Sequence, residues 1–184
     1  RSRDVAEQLI GGITHLMRKN SIAVLKGEAK FDSKNVIQVG DDRVVADNVV
    51  IATGASARNL PGIEVDGDLI WGARKAMTPV FMPEKLLIIG AGAIGVEFAS
   101  FYSTMGAEVT LLEMMDQILP AEDAEIAGIA RTAFEQVGIR VLTGTNVEAL
   151  EKGKGGLTAI VDGKHQKYDA CILSVGVVGN VDGM

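Results

Sequence analysis

The run Lys85-Leu86-Leu87-Ile88-Ile89 leads straight into Gly90-Ala91-Gly92-Ala93-Ile94-Gly95, and this junction limits what the chain can fold into more than any other segment. An apolar run ahead of three spaced glycines reads as a buried strand that must turn sharply into a helix. Gly90 permits the turn, Gly92 leaves space for another group to approach the backbone, and Gly95 lets helix and strand pack closely. Beyond the loop, Ile94, Phe98, Phe101, Tyr102 and Met105 recur at helical spacing and predict the buried face of a helix that stops before Gly106. A second strand, Glu108-Val109-Thr110-Leu111-Leu112-Glu113, comes next and ends in an acid 18 residues past Gly95.

Three glycines at this spacing are weak evidence in a chain that has 22 of them, so the surrounding elements carry the argument. Strand, glycine turn, helix, strand and terminal acid together make the βαβ unit of a dinucleotide site. Phosphates sit on the helix N-terminus, where unpaired N–H groups and the positive dipole end attract anions, and the acid binds the ribose 2′-hydroxyl. A carboxylate at Glu113 repels a 2′-phosphate, and Met114, Met115 and Asp116 bring no Arg or Lys to neutralise one. The reading is therefore NAD(H) rather than NADP(H), set against the plainer alternative that Glu113 is a solvated strand end.

Several other function classes drop out. The net charge is −6 with Lys and Arg scattered, so there is no basic stripe for nucleic acid and no polybasic amphipathic helix for a membrane surface. The longest mainly apolar stretch, Leu86 to Val96, is too short to span a bilayer, and the expectation is a soluble chain. Cys171 is the single cysteine, in the apolar run Ala170-Cys171-Ile172-Leu173, and reads as a small core residue. Neither His15 nor His165 sits in a motif that would make it a base, and two His with one Cys leave no His/Cys metal cluster. The opening Arg1-Ser2-Arg3-Asp4 has no initiator Met and falls inside a helical pattern, and the expectation is a fragment or a processed product.

One module is written twice. Val5, Leu9, Ile13, Leu16 and Met17 mark an apolar helical face. Short strands are expected at Ser21–Lys26, Glu28–Phe31, Asn35–Val39 and Arg43–Val45, and then a buried strand, Asp47-Asn48-Val49-Val50-Ile51-Ala52-Thr53, that ends at Gly54. The order returns 122 residues later as Leu157–Val161, a turn at Asp162-Gly163, Gln166–Tyr168, and Asp169-Ala170-Cys171-Ile172-Leu173-Ser174-Val175-Gly176. Between the copies, a helix over Asp123–Val137 is expected to bury Ile126, Ile129, Ala130, Ala133, Phe134 and Val137, with a third parallel strand after it at Ile139–Thr143. The fold class is α/β: a Rossmann-like dinucleotide-binding domain, its parallel sheet joined by helices and an antiparallel β-meander, with part of a second similar domain. The expected division is 1–58 for the end of the first module, 59–68 for a linker and 69–184 for the second.

Two such modules in tandem resemble the pyridine nucleotide disulfide oxidoreductase flavoproteins, above all their dihydrolipoamide dehydrogenase branch. The resemblance rests on Val50-Ile51-Ala52-Thr53-Gly54-Ala55, Leu60-Pro61-Gly62, Gly90 through Ala99, Val109 through Glu113, Ile118-Leu119-Pro120 and Ser174-Val175-Gly176. It implies that Gly90, Ala91, Gly92, Ala93, Ile94 and Gly95 hold the NAD pyrophosphate with Val96 beside them. By the same resemblance Glu113 holds the adenosine ribose, Glu97 lies near the nicotinamide carboxamide, Val147 covers the adenine and Gly176 flanks the nicotinamide. Gly27, Thr53, Gly54 and Ala55 match contacts to FAD. For Glu97, Val147 and Gly176 the plainer alternative is a solvated acid or ordinary packing.

The family passes electrons from a dithiol through a cysteine pair and FAD to NAD, with a His held by a Glu as acid and base. None of those catalytic residues, nor the FAD pyrophosphate loop, lies in this sequence. Gly176 leads into Val177-Val178-Gly179-Asn180 rather than into the family's Arg and Pro. The resemblance thus implies the NAD-binding portion of an NAD-dependent dihydrolipoyl dehydrogenase, inactive by itself. Its parent is expected to be a homodimer in cytoplasm or mitochondrial matrix, serving the lipoyl domains of 2-oxoacid dehydrogenase complexes. A mercuric reductase, a soluble transhydrogenase or a glutathione reductase is the alternative within the family, and a non-enzymatic NAD-sensing module the alternative outside it.

Overall fold

The computed structural model describes residues 1–182. They form two compact units, Arg1–Thr53 with Val181 and Asp182, and Gly54–Asn180.

In the first unit, helix α1 (Ser2–Lys19) precedes a three-stranded antiparallel meander of β1 (Ala29–Ser33), β2 (Val36–Val39) and β3 (Asp42–Val45). Gly40, at φ 58°, makes the β2–β3 turn, and Asn35 closes the base of the meander by donating to the carbonyls of Ala46 and Asp47. The predicted helical stripe is present, yet Val5, Leu9, Ile13 and Leu16 are all exposed. Two expected strands are not formed. Ser21–Lys26 is irregular, and Asp47–Gly54 is neither a strand nor buried, with Val50 89% exposed. The reason is pairing: an apolar run becomes a buried strand only with ladders alongside, and among the described residues no strand pairs with this one.

The second unit opens with β4 (Ala55–Ala57), β5 (Ile70–Trp71), α2 (Ala73–Ala76), β6 (Lys85–Ile89), α3 (Ala93–Thr104), β7 (Glu108–Leu112), α4 (Ala124–Gln136) and β8 (Arg140–Leu142). It continues through β9 (Val147–Gly153), β10 (Gly156–Val161), β11 (Lys164–Tyr168), β12 (Ala170–Leu173) and β13 (Val177–Gly179). Five strands make a wholly parallel sheet in the order β5-β12-β6-β7-β8. Strands β11-β10-β9 form an antiparallel meander, and β13 pairs with β4.

The central strands are buried on both faces, and their side chains alternate between two cores. Leu86, Ile88, Val109, Leu111 and Ile172 face the helices, where they meet Val96, Ala99, Tyr102 and Trp71. Leu87, Ile89, Leu112, Cys171 and Leu173 face the other way, onto Leu157, Ala159, Val161 and Tyr168 of the meander. Each such Leu or Ile contributes roughly 1.5–3 kcal/mol by leaving water, so the three layers are held by this double burial. Asp169 pins the layers at one end: its Oδ2 accepts the N–H groups of Glu84 and Lys85 at 2.9 and 2.8 Å, where β6 begins.

Each helix packs only part of its expected face inward: Tyr102 is buried and Phe98, Ala130 and Phe134 pack against the core, as expected. In α3 the inward positions are Gly95, Val96, Ala99 and Tyr102, while Ile94, Phe101 and Met105 are exposed. In α4 Ala127 is the buried position, with Ala130 and Phe134 packed partly against the sheet; Ile126, Ile129, Ala133 and Val137 point outward. Small residues, Gly95 and Ala99 in α3 and Ala127 in α4, are among the buried positions, and the bulky Tyr102 is buried with them. The predicted helix ends hold: Asp123 caps α4 by accepting from Glu125 N–H at 2.9 Å, and Gly106 (φ 99°) and Gly138 (φ 91°) come just after α3 and α4.

Residues 59–68 pack onto the second unit rather than standing apart from it. Leu60 and Ile63 exchange backbone hydrogen bonds, and Ile63 is buried against the meander core. Asp66 then organises the entry to β5. Its Oδ1 accepts the N–H groups of Asp68, Leu69 and Ile70, and its Oδ2 pairs with Lys152 on β9 at 2.6 Å. Burial alone pushes this carboxyl up, but the hydrogen bonds from Lys152, Ile70 and Asp68 and the Lys152 charge outweigh it and hold Asp66 below the ordinary carboxylate value. A lowered native pKa stabilises the fold above the unfolded value of about 3.9, and that stability is lost as the pH falls through the native value. Asp66→Asn is therefore expected to cost about 1 kcal/mol at pH 7, with the gap to wild type narrowing as the pH falls below about 4 in urea unfolding curves.

Candidate functional site

The glycine loop lies at the carboxyl end of β6, between β12 on one side and β7 with β8 on the other. This is the switch point of a parallel sheet, where the chain leaves in both directions and the strand ends open a crevice. Each glycine does what its position predicts. Gly90 has φ 96°, and a Cβ there would stand 2.5 Å from the Ser174 carbonyl oxygen. A Cβ on Gly95 would overlap the carbonyl oxygen of Gly90. Gly92 is the opposite case: a Cβ there meets nothing within 4 Å and would project into open space.

That space is a cavity of about 770 Å³. Of the residues singled out from sequence, Gly90, Gly92, Ala93, Ile94, Glu113, Val147 and Gly176 line it together. Ala91, Gly95 and Val96 are buried beneath the lining, while Glu97 is exposed on α3 and lies outside it. Gly27 and Thr53 belong to the first unit. Gly54, at φ 75°, and Ala55 belong to the second, Gly54 accepting the Asn180 N–H at 3.0 Å. Sequence reasoning missed Met114, Met115, Asn146 and Leu60 as lining residues, and it noted Ser174 only as part of a motif. The rule that ligands gather at parallel strand ends would have found Ser174, one residue past β12.

Helix α3 opens on this cavity with its N-terminus bare. Its N-cap is Gly92, no side chain caps it, and no acid stands in its first turn, whereas Asp123 caps α4. Among the described residues no Lys, Arg or His lines the cavity, so a bound anion would be held by backbone N–H groups and the helix dipole. Glu113 sits directly after β7 and is 6% exposed. Its Oε2 accepts the Ala91 N–H at 2.7 Å and its Oε1 the Met115 N–H at 2.9 Å, which leaves each oxygen able to accept once more. An oriented carboxylate beside an uncapped helix end can bind a diol next to a pyrophosphate.

Other chemistry is not assembled here. Cys171 is fully buried, and burial, then the Asp66 charge, pushes its thiol far above the ordinary range; it is a core residue, as predicted. His15 and His165 are exposed, and the described residues contain no group of three His, Cys, Asp or Glu that could hold a metal ion. No described helix is long and apolar enough to cross a membrane.

Known proteins resemble this chain in sequence and in fold. Residues 2–184 match the family model described as pyridine nucleotide-disulphide oxidoreductase. The chain is 43% identical to the dihydrolipoyl dehydrogenase of Rhizobium etli, over the whole chain and 43% of that protein. It is 42% identical to that of Zymomonas mobilis, over 99% of the chain and 41% of the relative. Among solved structures, LpdA from Mycobacterium tuberculosis superposes with a TM-score of 0.88 at 26% identity, covering 98% of this chain and 42% of that one. The chain belongs to the pyridine nucleotide-disulphide oxidoreductase family. It spans about 41–43% of the length of these relatives.

The packing around two of these residues can be tested directly. Gly95→Ala is expected to cost about 3 kcal/mol or more, read as a lowered melting temperature, because backbone stands where the methyl must go. Cys171 is expected to resist a thiol reagent in the folded chain and to react within the same time once urea unfolds it.

Proposed function

We propose that Gly54–Asn180 is the NAD-binding domain of a dihydrolipoyl dehydrogenase. The observation that carries the reading is the convergence on one cavity of an open Gly92, an uncapped helix N-terminus and a carboxylate already oriented by two backbone N–H groups. The residues fit the cofactor. The N–H groups at the start of α3 take the pyrophosphate, for which Gly92 leaves room. Glu113 accepts the adenosine ribose hydroxyls, Val147 covers the adenine, and Gly176 flanks the nicotinamide end. Glu97, exposed on α3, is the residue proposed nearest the carboxamide.

When bound, NAD supplies the hydride acceptor. The chain's own part is to orient it and to choose it. A 2′-phosphate brought against Glu113 meets a carboxylate in a cavity that no cationic side chain lines among the described residues, which favours NAD over NADP.

The activity of the whole protein is proposed from its relatives: oxidation of protein-bound dihydrolipoamide by way of a disulfide and FAD, in a homodimer serving 2-oxoacid dehydrogenase complexes in the cytoplasm or mitochondrial matrix. Gly27, Thr53, Gly54 and Ala55 are the proposed FAD contacts. The first unit holds no second glycine loop among its described residues, so these four do not make a flavin site by themselves.

Titration calorimetry of the full chain tests the reading. NADH is expected to bind, and NADPH to bind at least about tenfold more weakly. Gly92→Ala is expected to keep the melting temperature and to weaken NADH at least about tenfold, because its methyl is free of the protein but stands where the pyrophosphate goes. Equal or tighter binding of NADPH would overturn the proposed cofactor choice.

A further inference from the structure

The Gly90–Ala91 peptide is held at both ends by side chains from the two strands that flank β6. Its carbonyl oxygen accepts from Ser174 Oγ at 2.7 Å, at the end of β12, and its N–H donates to Glu113 Oε2 at 2.7 Å, at the end of β7. The Ser174 hydroxyl also lies 2.9 Å from the Ile89 carbonyl. The hydroxyl has a single proton, and the shorter of its two contacts is the one to the Gly90 carbonyl. The fit around it is tight, since a Cβ on Gly95 would come within 2.9 Å of Ser174 Oγ as well as overlapping the Gly90 oxygen. Gly90 needs such a restraint, because a glycine at φ 96° has freedom on both sides of its peptide.

We propose that Ser174 is a positioning residue for dinucleotide binding: by fixing the Gly90 carbonyl it sets the plane of the Gly90–Ala91 peptide, and through the Ala91 N–H it fixes the carboxylate of Glu113. The inference rests on the NAD reading above for its ligand, but not for its mechanism. Without the hydroxyl, the carbonyl end of the peptide loses its side-chain restraint, although Gly90 N–H still donates to Leu112 and the Ala91 carbonyl still accepts from Leu119. Ala91 N–H then leaves Glu113 Oε2, and the carboxylate loses one of its two fixed donors. Affinity falls because the ligand must order what the protein had already ordered.

The test compares wild type, Ser174→Ala and Ser174→Thr in the full chain, Thr restoring the hydroxyl. Two quantities are measured: exchange of the Ala91 amide by NMR without ligand, and the Kd for NADH. Ser174→Ala is expected to speed Ala91 exchange and to weaken NADH roughly tenfold, with Ser174→Thr returning both toward wild type. Unchanged Ala91 exchange in a folded Ser174→Ala overturns the positioning role whatever the affinity does. Faster exchange with unchanged NADH affinity overturns its link to binding. If wild type does not bind NADH, the NAD reading and the link to binding both fail, while Ala91 exchange still decides the mechanism.

Discussion

The close approach of Gly95 to the Gly90 carbonyl is the contact from which the second unit is arranged. It sets how near α3 lies to β6, and that distance decides which side chains fit between them. Val96, Ala99 and Tyr102 occupy the interface, and Tyr102 can be buried there because its hydroxyl donates to the Ala76 carbonyl at 2.6 Å. Ile94, Phe101 and Met105 lie outside the contact. The same approach aims the helix N-terminus at the crevice, so packing and binding geometry come from one constraint.

Strand-end polar groups turn this packing into a defined loop. Gly90 N–H donates to Leu112 and Ser174 N–H to Ile89, each at 2.8 Å, so three neighbouring strands are stitched together just where they stop. Glu113 takes part twice over, since a carboxylate that helps to shape the loop also faces the cavity the loop surrounds. A buried carboxylate persists only when its oxygens are hydrogen-bonded, and here backbone N–H groups do that without a neutralising cation.

The parallel sheet is covered by helices on one face and by a meander on the other. Its strands alternate accordingly, and Cys171 takes its place among the meander-facing residues as a small apolar side chain. Asp169 and Asp66 hold that second layer in register, Asp169 through the start of β6 and Asp66 through Lys152 on β9. Both act through backbone N–H groups at chain corners, where short polar side chains compete well with water.

Local sequence determined the elements that depend on neighbours in the chain. The β6–α3–β7 unit, the Asp123 cap, the Asp162-Gly163 turn and the special glycines were legible because strand, cap and turn chemistry act over a few residues. The inward faces of α3 and α4 were legible only in part: Tyr102, Ala130 and Phe134 pack inward as expected, while Ile94, Ile126 and Ile129 do not, because the sheet's position and not hydrophobicity alone decides which side of a helix is covered. The state of Asp47–Gly54 was not legible, because a run of β-branched residues becomes a strand only where another strand pairs with it. The site divides the same way. Gly90, Gly92, Gly95 and Glu113 could be read from spacing, but the meeting of Ser174 and Glu113 on the two ends of one peptide joins residues 84 and 22 positions apart from their partners, and only the assembled sheet brings them together.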